Sequence, residues 1–333
     1  MRILKSSYFD DFRCLADRCP DSCCKEWDVA VDPNSAAYYR SLPGSLGDRL
    51  RQVLKDEDGS TYMTIESGRC PMWRQDGLCR IQAELGEGAL CKTCREFPRL
   101  THDYGDFVEL GLELSCPEAA RLILNSPPAS HVEEYAPSGE VPEYDTEAME
   151  ILLQTRKEAL ALLEDSHFSP QEALALLLIY GYHAQALLDG MDVPSFDPGL
   201  SLSQGRDMAK QNSISQIIAF FADLEILTES WPRRLTAPCP GPWTEGYRNL
   251  ARYGIERYWL QAVSDYDLVG RVKFILISCL LVRSLGGDFA ETAQAYSKEI
   301  ENSAENMDAL LDAAYENPAF TDDKLLWQLL NET

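Results

Sequence analysis

The chain has 333 residues, of which 45% are apolar, 10% aromatic and 25% charged, an ordinary globular composition with enough apolar residues for a sizeable core and one or two domains. Its net charge of −24 argues against nucleic acid as a general partner, since phosphate backbones bind through Lys and Arg. The first residues, MRILKSSYFDDF, lack the apolar stretch of a signal peptide, and the longest apolar run, Phe274 to Val282, is too short to span a bilayer. We therefore expect a soluble, cytoplasmic protein without membrane association.

The first third of the chain gives few strong signals of secondary structure. A helix is predicted over residues 31–42, and alternating residues predict a hairpin over residues 99–115 about the Gly105-Asp106 turn. A further helix is predicted to start at Cys116. A segment with so poor a core suits stabilisation by metal ligation.

Residues 126–145 mark the boundary between two halves. This segment contains four prolines and almost no periodicity, which is typical of a linker or an extended connection. We therefore predict a cysteine-cluster metal-binding domain over residues 1–125, a linker over residues 126–145 and a helical domain over residues 146–333.

Helical patterns dominate the second half. Asp145 or Thr146 begins one helix, and Ser169 caps a second helix that Gly190 ends. Further helices are predicted around residues 204–228, 244–263, 266–285, 288–315 and 321–331. The expected fold is mainly α: an irregular cysteine-rich N-terminal region with a short β-hairpin, followed by an all-α half, with no doubly wound sheet.

Cysteine usage is the unusual feature of the composition. Nine of the eleven cysteines fall within the first 116 residues, and a cytoplasmic chain keeps its thiols reduced, so this concentration favours metal ligation over disulfides. Cys279 lies in an apolar helical pattern and Cys239 lies between two prolines, and we expect neither to bind metal. The candidate metal ligands are Cys14, Cys19, Cys23, Cys24, Cys70, Cys79, Cys91, Cys94 and Cys116.

The spacing of these cysteines leaves the kind of centre open. Cys91 and Cys94 form a C-x2-C knuckle, and a thioredoxin-like role is disfavoured because no βαβ unit surrounds it. Cys23 and Cys24 are neighbours, and successive side chains of extended backbone point in opposite directions, so we expect them to serve two different metal atoms. Nine thiols supply either two four-thiolate sites with one thiol left over, or one 4Fe–4S cluster and one zinc site.

Basic residues accompany the cysteines in an otherwise acidic chain. Such cations stabilise thiolates and anionic clusters, and ordinary surface basicity explains them equally well. They are Arg69, Arg74, Arg80, Lys92, Arg95 and Arg99.

Three cysteine-bearing stretches carry a family resemblance. They read FRCLADRCPDSCCKEWDVAVD, CPMWRQDGLCRIQAELGEGALCKTCREFPR and LELSCPEAARLIL. Together they resemble the flagellin lysine-N-methylase family, within the wider group of zinc- or iron-chelating cysteine-cluster proteins. The resemblance covers roughly residues 9–125 and extends weakly into the aromatic-rich segments YRNLARYGIERYWL and DLVGRVKFILISCLLVRSL.

The resemblance implies S-adenosylmethionine-dependent methylation of lysine on flagellin, with the cysteines holding an iron–sulfur cluster, which is favoured, or zinc. A neutral lysine nitrogen can attack the sulfonium methyl in line, so the site must deprotonate the ammonium group. The chain has too many acids and tyrosines to choose the base from the sequence. Arg95 and Arg99 are the candidates for binding the cofactor carboxylate, because Arg binds carboxylates bidentately.

The main alternative is a non-enzymatic protein, in which the cysteine half binds zinc or iron and the helical half is an interaction surface. The acidic excess is strongest over residues 286–333, where eleven acids face only Lys298 and Lys324. It fits either a solvated surface or a docking face for flagellin or another lysine-presenting partner.

Overall fold

The computed structural model describes residues 2–127, 132–135 and 143–331, so that more than half of the predicted linker, residues 126–145, lies outside the described residues. The described part contains fifteen α-helices and two small sheets. The prediction of a mainly α fold is confirmed.

The seven strands are short. In chain order they are β1 (Arg2–Lys5), β2 (Val29–Val31), β3 (Leu54–Glu57), β4 (Ser60–Met63), β5 (Arg99–Asp103), β6 (Phe107–Leu112) and β7 (Val132–Tyr135). The first sheet has the order β5-β6-β1-β7, with β1 parallel to β6, and the second has the order β2-β4-β3. Asp58 and Gly59 connect β3 to β4 with positive φ angles, as a two-residue hairpin turn requires.

Five helices lie before the predicted boundary and ten after it. The first group is α1 (Pro33–Ser41), α2 (Gly44–Val53), α3 (Arg80–Leu85), α4 (Lys92–Glu96) and α5 (Pro117–Asn125). The second group is α6 (Thr146–Glu164), α7 (Pro170–Leu188), α8 (Pro198–Met208), α9 (Ile214–Ala222), α10 (Trp231–Thr236), α11 (Gly246–Tyr258), α12 (Leu268–Leu285), α13 (Phe289–Tyr296), α14 (Ala304–Glu316) and α15 (Asp322–Leu330). A π-helical turn, Ser297–Glu301, follows α13 directly. None of the described helices combines the length and apolar character needed to cross a bilayer.

The hydrophobic residues form two cores that do not follow the two halves of the sequence. The larger core surrounds α12, which is buried along nearly its whole length, and it includes Leu4 and Phe12 from the start of the chain and the buried face of α5. The smaller core, which includes Tyr39, Leu50 and Met72, lies within residues 29–91. The first sheet thus packs with the helical half, while the predicted domain boundaries stay a prediction.

The structure bears out some predicted elements and divides others. The hairpin is confirmed as β5 and β6, and Asp145 and Ser169 cap α6 and α7 as predicted. The helices predicted over residues 204–228 and 288–315 are interrupted, because Ser213 and Ser303 each cap a new helix with the side-chain oxygen. The second sheet was not predicted, since strands of three or four residues carry too little alternation.

Candidate functional site

Six cysteine thiols gather at the smaller core. Cys70 and Cys91 are buried in it, Cys24 and Cys79 pack against it, and Cys23 and Cys94 are exposed. We refer to them as the six-thiol group: Cys23, Cys24, Cys70, Cys79, Cys91 and Cys94.

Backbone hydrogen bonds bring the chain segments of this group together. The N–H of Cys70 donates to the carbonyl oxygen of Cys24 at 2.8 Å, and Lys25 pairs with Arg69 in an antiparallel bridge. Cys79 directly precedes α3, where the N–H of Arg80 donates to the carbonyl oxygen of Met72 at 2.7 Å. The segments around Cys24 and Cys70 therefore lie side by side, and the start of α3 at Cys79 packs close to them.

Asp32 fixes the position of α4, which carries Cys94 and directly follows Cys91. Its carboxylate accepts from the N–H of Lys92 at 2.8 Å and from the N–H of Ser35, at the start of α1, at 3.0 Å. The hydroxyl of Thr93 donates to the carbonyl oxygen of Ala30 in β2 at 2.8 Å. The hydrogen bonds from Lys92 and Ser35 lower the pKa of Asp32 to about 2, so the carboxylate is charged at neutral pH.

The thiols of the group shift one another's pKa values. A hydrogen bond with Cys23, together with burial, raises the pKa of Cys24 to about 12, and the contact with Cys24 raises the pKa of Cys70. A hydrogen bond with Cys94 instead lowers the pKa of Cys91 to about 7 and raises that of Cys94. Within the Cys91–Cys94 knuckle, the Cys91 thiol therefore ionises near neutral pH. The thiolate that forms is the state of cysteine that binds metals.

Cys23 and Cys24 do not lie on the extended backbone that the sequence analysis assumed. The chain bends at both residues instead of remaining extended, and the neighbouring Cys23 thiol raises the pKa of Cys24. The side chain of Trp27 supports the bend, because its Nε1–H donates to the carbonyl oxygen of Cys23 at 2.8 Å. The argument for two different metal atoms assumed an extended backbone and does not apply to a bend.

Cys14, Cys19 and Cys116 form a second gathering, the three-thiol group. Burial raises the pKa of Cys116 to about 11, with Cys19 and Cys14 contributing in the same direction. Burial also raises the pKa of Cys19, and Cys14 again contributes. The nine candidate ligands thus divide six to three, a division that their spacing did not indicate. Cys279 is buried in the apolar interior of α12, as predicted, and Cys239 is exposed.

The donor chemistry of the six-thiol group fits a thiolate-bound metal. Its members come from four chain segments, and thiolate binds both zinc and iron–sulfur clusters. Within residues 2–127, 132–135 and 143–331, however, no three Cys, His, Asp or Glu side chains surround a common point closely enough to hold an ion.

The basic residues predicted to stabilise thiolates mostly contact other groups. Three of the six pair with acids close in sequence at N–O distances of 2.5 to 4.0 Å: Arg74 with Asp76, Arg80 with Glu84, and Lys92 with Glu96. The guanidinium of Arg69 lies over the ring of Trp73, 4.1 Å from its centroid. At these four positions the contacts favour the interpretation as ordinary surface basicity.

The two candidate cofactor-binding arginines flank the end of α4 and are exposed. Nη1 of Arg95 lies 3.4 Å from the carbonyl oxygen of Leu90, and the guanidinium of Arg99 lies 5.2 Å from the centroid of the Phe12 ring. Their role toward a cofactor carboxylate stays a prediction.

Polar contacts fasten the first cysteine segment to the helical half. The Lys298 ammonium, in the π-helical turn, donates to Asp21 at 3.1 Å and to Glu26 at 2.8 Å. Gln294 donates from Nε2 to Asp21 at 2.9 Å and to the carbonyl oxygen of Ser115 at 2.8 Å. Although burial opposes it, Lys25 and Lys298 hold the pKa of Asp21 well below its usual range.

A buried polar network on α11 was missed by the sequence analysis. The carboxylate of Glu301 accepts from the hydroxyl of Tyr253 at 2.8 Å and from that of Tyr258 at 2.7 Å, and it pairs with Arg257 at 3.2 Å. Glu256, on the same helix, borders a cavity against the first sheet. The available signal was the run of charged residues and tyrosines at helical spacing in an otherwise apolar helix.

Comparison with known proteins finds significant relatives. A protein named lysine-N-methylase from Salmonella choleraesuis is 32% identical over 139 residues, covering 40% of this chain and 35% of that protein. The flagellar biosynthetic protein FliU of Salmonella muenchen is 33% identical over 134 residues, covering 38% of this chain and 79% of that protein. A lysine-N-methylase from Salmonella typhimurium matches at 32% over 139 residues.

The chain spans about a third of the length of the lysine-N-methylases it matches. No model of a known protein family matches it, and no solved structure matches it significantly.

Proposed function

Because this chain belongs to the flagellin lysine-N-methylase family, we propose that it is an S-adenosylmethionine-dependent methyltransferase that acts on lysine side chains of flagellin in the cytoplasm. The observation that carries this proposal is the similarity to two proteins named lysine-N-methylase and to FliU, of which the match covers 79%.

The second part of the proposal is a metal centre held by the cysteines. The grouping of Cys24, Cys70, Cys79, Cys91 and Cys94 at the smaller core supports it. An iron–sulfur cluster is the favoured centre and zinc the alternative. When bound, an iron with an open position supplies a site for the amino and carboxylate groups of the cofactor, whereas zinc with four thiolates is structural.

The chain's own residues have two tasks in such a reaction. They must hold a lysine in line with the sulfonium methyl group, and they must take a proton from its ammonium form. The net charge of −24 helps to attract a lysine-presenting partner, and this attraction weakens as salt rises. Arg95 and Arg99 are proposed to bind the cofactor carboxylate.

The test uses anaerobically purified full-length protein with its metal intact. Metal analysis and absorbance identify the centre: brown protein with about four irons per chain supports a cluster, and colourless protein with zinc supports a structural scaffold. Calorimetric titration then measures S-adenosylmethionine binding, and mass spectrometry of flagellin measures methyl increments on lysine.

The alternative function, a non-enzymatic metal-binding protein, is an outcome of the same test. It is favoured if the protein holds metal, does not bind S-adenosylmethionine and leaves flagellin lysines unmodified. The double variant Cys70→Ser with Cys94→Ser should lose the metal, and the matched variant Cys279→Ser should keep it. Full retention of metal in the double variant would contradict the ligand assignment.

A further inference from the structure

A small cavity lies between the first sheet and α11. Its volume is about 30 Å³, which is room for about two water molecules. Leu4, Leu100 and Leu112 line it on the sheet side, and Glu256 and Arg257 line it on the helix side. In β5 the exposed Arg99 alternates with Leu100 and His102, so the strand turns one face outward and the other toward the cavity.

Glu256 and Glu109 are the two carboxylate side chains that line this cavity. The Oε2 atom of Glu256 accepts from the hydroxyl of Ser6 at 3.1 Å and from that of Tyr8 at 3.3 Å. Burial raises the pKa of Glu256 to about 7, against the opposing effects of the Ser6 hydrogen bond and the nearby Arg252 and Arg156. Such a carboxyl group is poised to accept and return a proton near neutral pH.

Two ion pairs also border the cavity. Glu109 pairs with Arg156 at 2.7 Å, and Arg257 pairs with Glu301 at 3.2 Å. The Nε2 atom of His102 is buried and makes no hydrogen bond to the described residues. Burial and the nearby Arg257 lower the pKa of His102, so the imidazole is neutral and presents a nitrogen that can accept.

These features match a primary ammonium group. An ammonium group is about the size of a water molecule and has three N–H donors, which need acceptors such as a carboxylate, a neutral imidazole or a hydroxyl. The leucine side chains give an apolar wall suited to a methylene chain. We propose that this cavity receives the end of a lysine side chain and that Glu256 accepts its proton. This inference rests on the proposed function, which supplies the reason to deprotonate lysine.

The proton and electron balance is simple. The proton of the lysine ammonium moves to the Glu256 carboxylate, leaving a neutral amine. The nitrogen lone pair then forms a bond to the methyl carbon of S-adenosylmethionine, and the carbon–sulfur bond breaks with its electron pair going to sulfur. The products are a methylated ammonium, the neutral thioether and protonated Glu256, which returns its proton to solvent.

Binding of n-butylammonium, a lysine side-chain analogue, tests the site without cofactor or flagellin. Saturation-transfer NMR on the full chain should detect binding at pH 7.5, and neutral n-butanol should bind much more weakly. Glu256→Gln should weaken n-butylammonium binding about tenfold or more. The matched control Glu245→Gln, at the exposed start of the same helix, should leave it unchanged. Equal binding by wild type and Glu256→Gln would overturn the proposal.

A second variant keeps the carboxylate and changes only its pKa. Since the Ser6 hydrogen bond lowers the pKa of Glu256, Ser6→Ala should raise the pH midpoint of n-butylammonium binding, and an unchanged midpoint would overturn the proposal. The wild type and Ser6→Ala share all the other titratable and charged groups that face this site, so these groups do not distinguish the two proteins. They are Tyr8, His102, Glu109, Arg156, Arg252, Tyr253 and Arg257.

The outcomes separate this inference from the proposed function. Glu256-dependent amine binding without any methylation of flagellin would refute the proposed function and leave the ammonium site standing. Methylation that is unchanged by Glu256→Gln would refute the role of Glu256 and leave the proposed function standing.

Discussion

Glu256→Gln should make the protein more stable than the wild type at neutral and alkaline pH. The ordinary pKa of a glutamate is 4.5, and in the fold that of Glu256 is about 7. Because the fold favours the protonated form of Glu256, this group stabilises the folded state fully below pH 4.5. That contribution to the free energy of unfolding is lost as pH rises through 7. Glutamine does not ionise, so the variant avoids that loss.

The size of the effect follows from the shift in pKa. A difference of about 2.5 units at 1.36 kcal/mol per unit gives about 3 kcal/mol. The free energy of unfolding of Glu256→Gln, relative to the wild type, should therefore rise by about 3 kcal/mol between pH 4.5 and pH 8. Because the carboxylate oxygen that accepts from Ser6 and Tyr8 is kept as an amide oxygen, the hydrogen bonds survive the change.

Urea denaturation of both proteins at several pH values, under reducing conditions, measures this difference. Other titrating groups, including the cysteines, are common to both proteins and cancel in the comparison. Glu245→Gln is the control, since the Glu245 side chain is 78% exposed, and its difference from the wild type should stay within about 0.5 kcal/mol at every pH. Parallel stability curves for the wild type and Glu256→Gln would refute the reasoning.

Three further predictions concern other parts of the molecule. Cys24→Ser should lower the metal content of the purified protein, whereas Cys239→Ser should leave it unchanged, as measured by elemental analysis. Lys298→Met removes the cation that joins Asp21 and Glu26 to the helical half and leaves Lys25 as their remaining partner, so it should lower the free energy of urea unfolding by about 1–3 kcal/mol and speed limited proteolysis before residue 30; unchanged cleavage would count against this docking contact. Gly254→Ala places a methyl group 2.7 Å from Ile275 Cγ1 and should cost about 1–3 kcal/mol, whereas Gly88→Ala meets open space and should cost nothing measurable in the same assay.

The sequence predicted the elements that local chemistry specifies. Caps and periodicity located α6 and α7 because the signals lie within the helices themselves, at Asp145 and Ser169. The small second sheet was missed because its short strands depend on pairing between distant segments and carry little periodicity of their own.

The candidate site was likewise predictable from the sequence only in part. The sequence predicted that the cysteines cluster, but the separation of Cys14, Cys19 and Cys116 from the other six depends on tertiary packing. The role of Glu256 was hidden for the same reason, since Ser6 and Tyr8 lie about 250 residues earlier in the chain. Only the folded chain shows that Glu256, one of the 54 acids, lines a cavity between α11 and the first sheet.

The π-helical turn constrains how this protein can change in length. Within five residues it directs Lys298 toward the cysteine segment and holds Glu299 and Glu301 in the interior, where Glu299 accepts from the N–H groups of Leu227 and Thr228. Removing one residue here would convert the turn to α-helix and rotate the side chains on one side of the deletion by about 100° relative to those on the other. Either the contact of Lys298 or that of Glu301 would then be lost. Insertions and deletions are therefore expected to be rejected in this turn while the exposed loops around it accept them.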